Sequence, residues 1–382
     1  MSGEIHSDGR GDQPPAPGEA GREKEGRVDR DLDRKGDGEG ERVRHRASMV
    51  PRMATLTAPR AAPARPAATG TAPTVWLVLA TIGALGLALR LPVATTVLGL
   101  ALFGVLHNVL ELRYVLGRFS SLLTGPFLTL VLALITGVLV CRLLPGGAVT
   151  RAAEIVLCYV LLGVACARTW RSRVPLLALS LAVLALAAAT SLAFPGYHFV
   201  VLTHLHNVVP LFFLWEWSRA VRSPGARSAF RASTVVWVFG VPALLLAGAF
   251  DRWLDSSPGA VAGFGVSRLA GAVTPPAWLT TDLAVRFLAV FAFMQTMHYV
   301  VWVGLLPRFA PDAAARFSAR VPALGGRRVW LLGLAGALAF GVLFALDYAS
   351  GKTLYAAVAS YHAYLEFPVL LALILGFKGD DR

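Results

Sequence analysis

Ten stretches of this chain run for about 20 residues each with almost no charge, the length a helix needs to cross a bilayer. They lie near 74–90, 92–116, 121–143, 149–167, 174–194, 197–217, 233–250, 284–306, 328–348 and 354–377. Apolar types make up 55% of the residues and charged types only 15%, which argues against an ordinary soluble domain. Mean hydropathy, at +0.60, points the same way. No alternation of apolar and polar residues between turn signals occurs, so a β-barrel is not expected. Inside lipid a backbone must satisfy its own hydrogen bonds, which leaves helices. The expected fold is therefore all-α: a polytopic membrane helical bundle of about ten transmembrane helices.

Charge gives the bundle a direction. One set of loops holds Arg113 and Arg118, then Arg168, Arg171 and Arg173, then Arg219, Arg222, Arg227 and Arg231. It continues with Arg308, Arg316, Arg320, Arg327 and Arg328, and ends with Lys378 and Arg382. The opposite set holds only Arg90, Arg142, Arg151, Arg252, Arg268, Arg286 and Lys352. Cytoplasmic loops carry the excess of Lys and Arg, so both termini are expected in the cytoplasm and the chain in the plasma membrane. The net charge of +13 sits in these loops and in a polar tail, so it does not signal nucleic-acid binding. Residues 1–73 read as a disordered cytoplasmic tail rich in Gly, Pro, Arg, Asp and Glu, with Met49 and Met53 as alternative starts. The transmembrane domain is expected over 74–378. The longest outer connection, about 251–283, carries Trp253 and Trp278 and reads as a cover over the bundle or a plain loop. Cys141, Cys158 and Cys166 form no CxxC pair and read as small packing residues.

Six of the eight histidines fall within or at the edge of the apolar runs. His107 is in the second run, His198, His204 and His206 in the sixth, His298 in the eighth and His362 in the tenth. Those four runs cross in the same direction, and counting places His107, His206, His298 and His362 near mid-membrane. Glu111 follows His107 by four residues, and Glu366 follows His362 by four. Residues i and i+4 lie about 40° apart on one helix face, the spacing by which one helix offers two ligands to a metal. A charged group at the bilayer centre costs about 2.5–3.5 kcal/mol on insertion scales, so such groups persist paired, protonated or bound. Glu216 and Asp347, near the ends of runs, are expected to be solvated. The tetrapeptide LHNV occurs twice, at 106–109 and 205–208, and holds the chain's only asparagines, Asn108 and Asn207. A ligating imidazole donates its other N–H to an acceptor, and an Asn can supply that acceptor to a histidine on another helix. A duplicated helix block is the alternative origin of the repeat.

Imidazole with carboxylate suits iron, zinc or copper. One arrangement has four histidines around a single non-haem iron with Glu111 and Glu366 outside them. A second has a dinuclear site, with His107–Glu111 and His362–Glu366 each holding one iron and His206 and His298 completing it. His204 is a further candidate ligand, about 200° round the helix from His206 unless Pro210 distorts that helix. A mid-membrane centre is reached most readily by O2 and lipid-soluble molecules. The expected activity is a metal-dependent oxidation of a hydrophobic small-molecule substrate, with Glu111 or Glu366 moving protons and an electron donor as a possible partner. Haem b held by two histidines, copper, or a proton-coupled transporter remain the other readings.

The stretches HNVLE and YHAYLE, with a carboxylate four residues after a membrane histidine, resemble the Brp/Blh carotenoid-cleaving oxygenases. Those are integral-membrane proteins with a histidine-bound iron that convert β-carotene to retinal. The resemblance covers these short motifs, in which Asn108 and Ala363 stand where that family has Gly, and Glu where it has Asp. It implies an iron site at His107, His206, His298 and His362.

Overall fold

A proline in the first turn marks where six of the long helices begin: Pro73, Pro92, Pro126, Pro175, Pro195 and Pro224. Its missing N–H is one that the first turn leaves unpaired in any case. The structure, a computed structural model, describes residues 71–255, 259–261 and 263–375. All but the last three positions of the tail read over 1–73 lie outside the described residues. Ten helices are long and apolar enough to cross a membrane. They are α1 (Ala72–Arg90), α2 (Pro92–Arg118), α3 (Gly125–Leu143), α4 (Ala148–Thr169) and α5 (Val174–Ala193), then α6 (Pro195–Ala220), α7 (Pro224–Leu246), α8 (Leu283–Phe309), α9 (Arg327–Leu346) and α10 (Tyr348–Ile374). Among the described residues no strand forms beyond an isolated bridge between Val261 and Phe264. The chain is an all-α, multi-pass membrane bundle.

Burial separates inner from outer helices. In α8 and α10, 72% and 67% of the most apolar window is buried, against none in α5. Thus α8 and α10 are central, and α5 lies at the rim and touches α4 and α6. Helix α2 packs on α8, α9 and α10, while α6 contacts α8. A short helix, Pro311–Arg320, lies against α2 where Gly117 lets it approach. A Cβ at Gly117 would fall on the carbonyl oxygen of Ala313.

Three of the long helices are irregular. Helix α6 breaks at Val209, just before Pro210. Helices α7 and α8 each contain a π-helical turn, at Val236–Gly240 and Val300–Leu305. The latter begins two residues after His298.

Two helices start well before the hydropathy pattern places them. Helix α7 begins at Pro224, not near 233, because Ser223 caps it by accepting from the amide of Ala226. Its first turns are polar outside and bury Ala226, Phe230 and Thr234. Helix α10 begins at Tyr348, not near 354, because the Asp347 carboxylate accepts from the amides of Ala349 and Ser350. The Ser350 hydroxyl and these amides hold the exposed Asp347 carboxyl below its ordinary value. Glu216 is not solvated as its position suggested. It is buried against Arg118, with Nη2 to Oε1 at 2.5 Å, because α2 and α6 bring opposite charges together at one end of the bundle. The long connection after α7 contributes a second short helix, Val266–Val273, which packs on α6 and α8.

Candidate metal centre

The four mid-span histidines converge. His107 comes from α2, His206 from α6, His298 from α8 and His362 from α10. One ring nitrogen from each lies within 4.8 Å of the others. The Nε2 of His362 is 3.3 Å from the Nε2 of His107 and 3.3 Å from that of His206. The His298 ring faces His206 with centroids 4.5 Å apart and meets His107 edge-on at 5.2 Å.

Second partners fix two of the tautomers. His107 donates from Nδ1 to the Phe103 carbonyl oxygen at 3.1 Å, one turn back along α2. His206 donates from Nδ1 to Glu366 Oε2 at 2.7 Å. In a neutral ring each then turns a lone pair on Nε2 towards His362. His362 Nε2 has at most one proton to offer two such lone pairs. A cation among the rings answers both, and a carboxylate or carbonyl on the far nitrogen is the usual support of a ligating histidine.

Glu111 and Glu366 form a layer one turn further along α2 and α10, about 6 Å on by helical rise. Glu111, His298 and Glu366 also lie with ligand atoms within 4.8 Å of one another. Glu111 Oε2 is 3.4 Å from His298 Nε2, without a hydrogen bond between them. The i, i+4 spacing therefore does not pair each histidine with the glutamate of its own helix. It stacks an imidazole layer on a carboxylate layer, and the contacts cross between helices: Glu366 with His206, Glu111 with His298. His298 belongs to both donor sets.

Burial makes these groups expensive alone. His107, His298 and His362 are 2%, 1% and 3% exposed, and both glutamates are fully buried. Both oxygens of Glu111, Oε1 of Glu366, both ring nitrogens of His298 and Nδ1 of His362 have no hydrogen-bond partner. Buried polar atoms are ordinarily satisfied, so this many orphans around one point call for a bound ion or protons. The donor set fits a metal ion: imidazole and carboxylate, no thiolate, with two of the four rings supported through Nδ1.

The other candidates lie elsewhere. His204 points away from the centre, with Nε2 2.7 Å from the Val273 carbonyl oxygen and its ring against Phe287 and Phe291. Helix α6 is regular through both His204 and His206, and its break comes after them, so the two side chains stay on opposite faces. His198 pairs with Ser191 at 3.1 Å near the start of α6. Neither asparagine serves a histidine. Asn207 donates to Thr203 one turn back, and Asn108 accepts from the Tyr355 hydroxyl at 3.4 Å.

A cavity of about 280 Å3 reaches this centre, and His107, His206, His298 and His362 line it. Its walls are largely apolar, including Leu100, Leu202, Leu269, Val273 and Phe291. The connection after α7 supplies Leu269 and Val273 to these walls. Sequence reasoning missed several polar residues here. Tyr299 packs its ring on His107 at 4.5 Å and accepts from Gln295 at 2.7 Å. Arg142 holds Glu154 at 2.6 Å, and Glu154 also accepts from Tyr364 at 2.7 Å. Glu154 is the sole acidic residue of α4, which was the available signal. No protein-family model, curated protein or solved structure matches this chain.

Proposed function

We propose that this chain is an integral-membrane, metal-dependent oxidoreductase of oxygenase or desaturase type, acting on a hydrophobic molecule. The observation that carries the reading is the convergence of four imidazoles, two of them supported through Nδ1, at an apolar cavity, with the buried carboxylates Glu111 and Glu366 behind them. His107, His206, His298 and His362 would hold the ion, with Glu111 and Glu366 as the neighbouring carboxylates. Non-haem iron is the metal proposed, because the cavity favours substrates that partition into hydrocarbon, as O2 does. The iron, when bound, supplies O2 activation.

The protein's own groups do the rest. Glu366 keeps the His206 ring in its ligating tautomer, and the Phe103 carbonyl does so for His107. Glu111, buried and without a donor, is placed to hold and pass a proton. The walls exclude water from the reacting position. A desaturation would remove two hydrogens from the substrate, and two electrons from an external donor with two protons from solvent would complete the reduction of O2 to two waters. Haem b fits less well, since a porphyrin needs the positions that the remaining imidazoles occupy. Copper accepts the same ligands, and metal analysis separates the two. The loop charges support cytoplasmic termini, and the plasma membrane is the location proposed.

The test is metal content of the purified protein. We expect near-stoichiometric iron in the wild type and its loss in His107→Ala and in His298→Ala. Wild-type protein that takes up no metal on reconstitution would end this reading, and metal retained in both variants would displace it from these residues.

A further inference from the structure

The helix ends and loops opposite the basic-rich face carry only seven cations, yet four of them meet at one place. Arg142, Arg151, Arg268 and Lys352 line a cleft of about 580 Å3, together with the single carboxylate Glu154. Arg142 neutralises that carboxylate at 2.6 Å. Among the described residues Arg151, Arg268 and Lys352 meet no carboxylate. Arg268 and Lys352 instead lie over the ring of Phe264, at 4.3 and 5.6 Å from its centroid. Three unneutralised cations at the mouth of an apolar space repel one another, and an anion there relieves that repulsion.

The cleft adjoins the cavity of the candidate metal centre. Arg142, Lys352 and Ala356 line both. Lys352 and His362 lie on the same helix, ten residues and so about 15 Å apart by helical rise. A charged mouth, an apolar shaft of that depth and a histidine floor make a site with two different ends.

We propose that the substrate is an anionic amphiphile: a carboxylate or phosphate head held by Lys352, Arg268 and Arg151, on a single apolar chain that reaches the histidines. The proposal names the substrate class of the centre described above and rests on that reading. An uncharged hydrocarbon would leave the cations unanswered. A free anion would leave the shaft unfilled.

The test uses the full-length protein in nanodiscs of zwitterionic lipid, with radiolabelled oleate, 1-oleoyl lysophosphatidate, methyl oleate, and inorganic phosphate as a competitor. Oleate or the lysophosphatidate should bind at least about tenfold more tightly than methyl oleate, the weight of one hydrogen bond to a charged group. Lys352→Gln with Arg268→Gln should remove that preference while methyl oleate binding and iron content stay as in the wild type. Arg151→Gln, at an exposed position, should weaken oleate binding in the same direction. Equal binding of oleate and its methyl ester, or an unchanged preference in all variants, would overturn the proposal. Inorganic phosphate that displaces either lipid at concentrations near the lipid's own Kd would also overturn it, since the head alone would then suffice. Iron content keeps the two readings apart: a protein with its metal intact and no preference for the charged head condemns the cleft, and a protein without metal condemns the centre.

Discussion

Glu366 joins two jobs in one carboxylate. Its Oε2 accepts from His206 at 2.7 Å, and its Oε1 is buried with no partner beside the second donor set. Replacement by glutamine keeps an acceptor for His206 but removes the charge. Supports of this kind are worth about 10–100-fold in metal affinity. Glu366→Gln should therefore lose metal affinity by that range in a competition titration against a chelator, with the melting profile of the apo protein retained. An unchanged affinity would place Glu366 outside the metal's influence. At this scale the sequence was informative in one respect and silent in another. Polar residues in apolar runs are visible singly, so His107, Glu111, His206, His298, His362 and Glu366 could be chosen without coordinates. Which histidine meets which glutamate depends on how four helices are rotated about their axes, and no local spacing encodes that. The same reason hid Arg142, which reads as a loop cation until α4 and α10 bring Glu154 and Tyr364 to it.

Helix α2 shows how an element is fixed at both ends. Pro92 opens it, and its last turns lie against the short helix Pro311–Arg320 through Gly117. Gly117→Val places a side chain where the Ala313 carbonyl stands, and overpacking of this kind costs about 1–3 kcal/mol. One residue on, Arg118→Ala would strand Glu216 as a buried, unpaired charge at a cost of about 3–5 kcal/mol. Both variants should melt below the wild type by fluorescence-detected size exclusion, Arg118→Ala by more. The reverse order would mean that the pair is hydrated in the membrane protein. Helix existence was legible from hydropathy in all ten cases, because length and apolarity are local properties. Starts failed at α7 and α10, where Ser223 and Asp347 caps extend helices into polar sequence that a hydropathy window excludes. The role of the repeated LHNV also failed, since Asn108 and Asn207 turn to Tyr355 and Thr203 and leave the histidines to other partners.

Across the whole molecule the centre ties helices that the chain separates widely: His107 and His362 meet across 255 residues. Lipid tails are as apolar as the helix faces, so little hydrophobic force holds spans together within a bilayer. An ion bound by α2, α6, α8 and α10 then contributes directly to the assembly of the central helices. A ligand that binds only the folded state adds about 2.7 kcal/mol when its free concentration is a hundred times Kd. Removing the metal with a membrane-permeant chelator should lower the apparent Tm of the wild-type protein, and restoring iron should raise it again. His107→Ala has lost one of the four rings, so its Tm should start lower and respond to neither treatment. Helix α5, with no buried residue, should be insensitive throughout, so a fluorophore on α5 should report only global unfolding while one near α8 also reports metal removal. A chelator shift of equal size in His107→Ala would show that the stabilising ion sits somewhere other than among these rings.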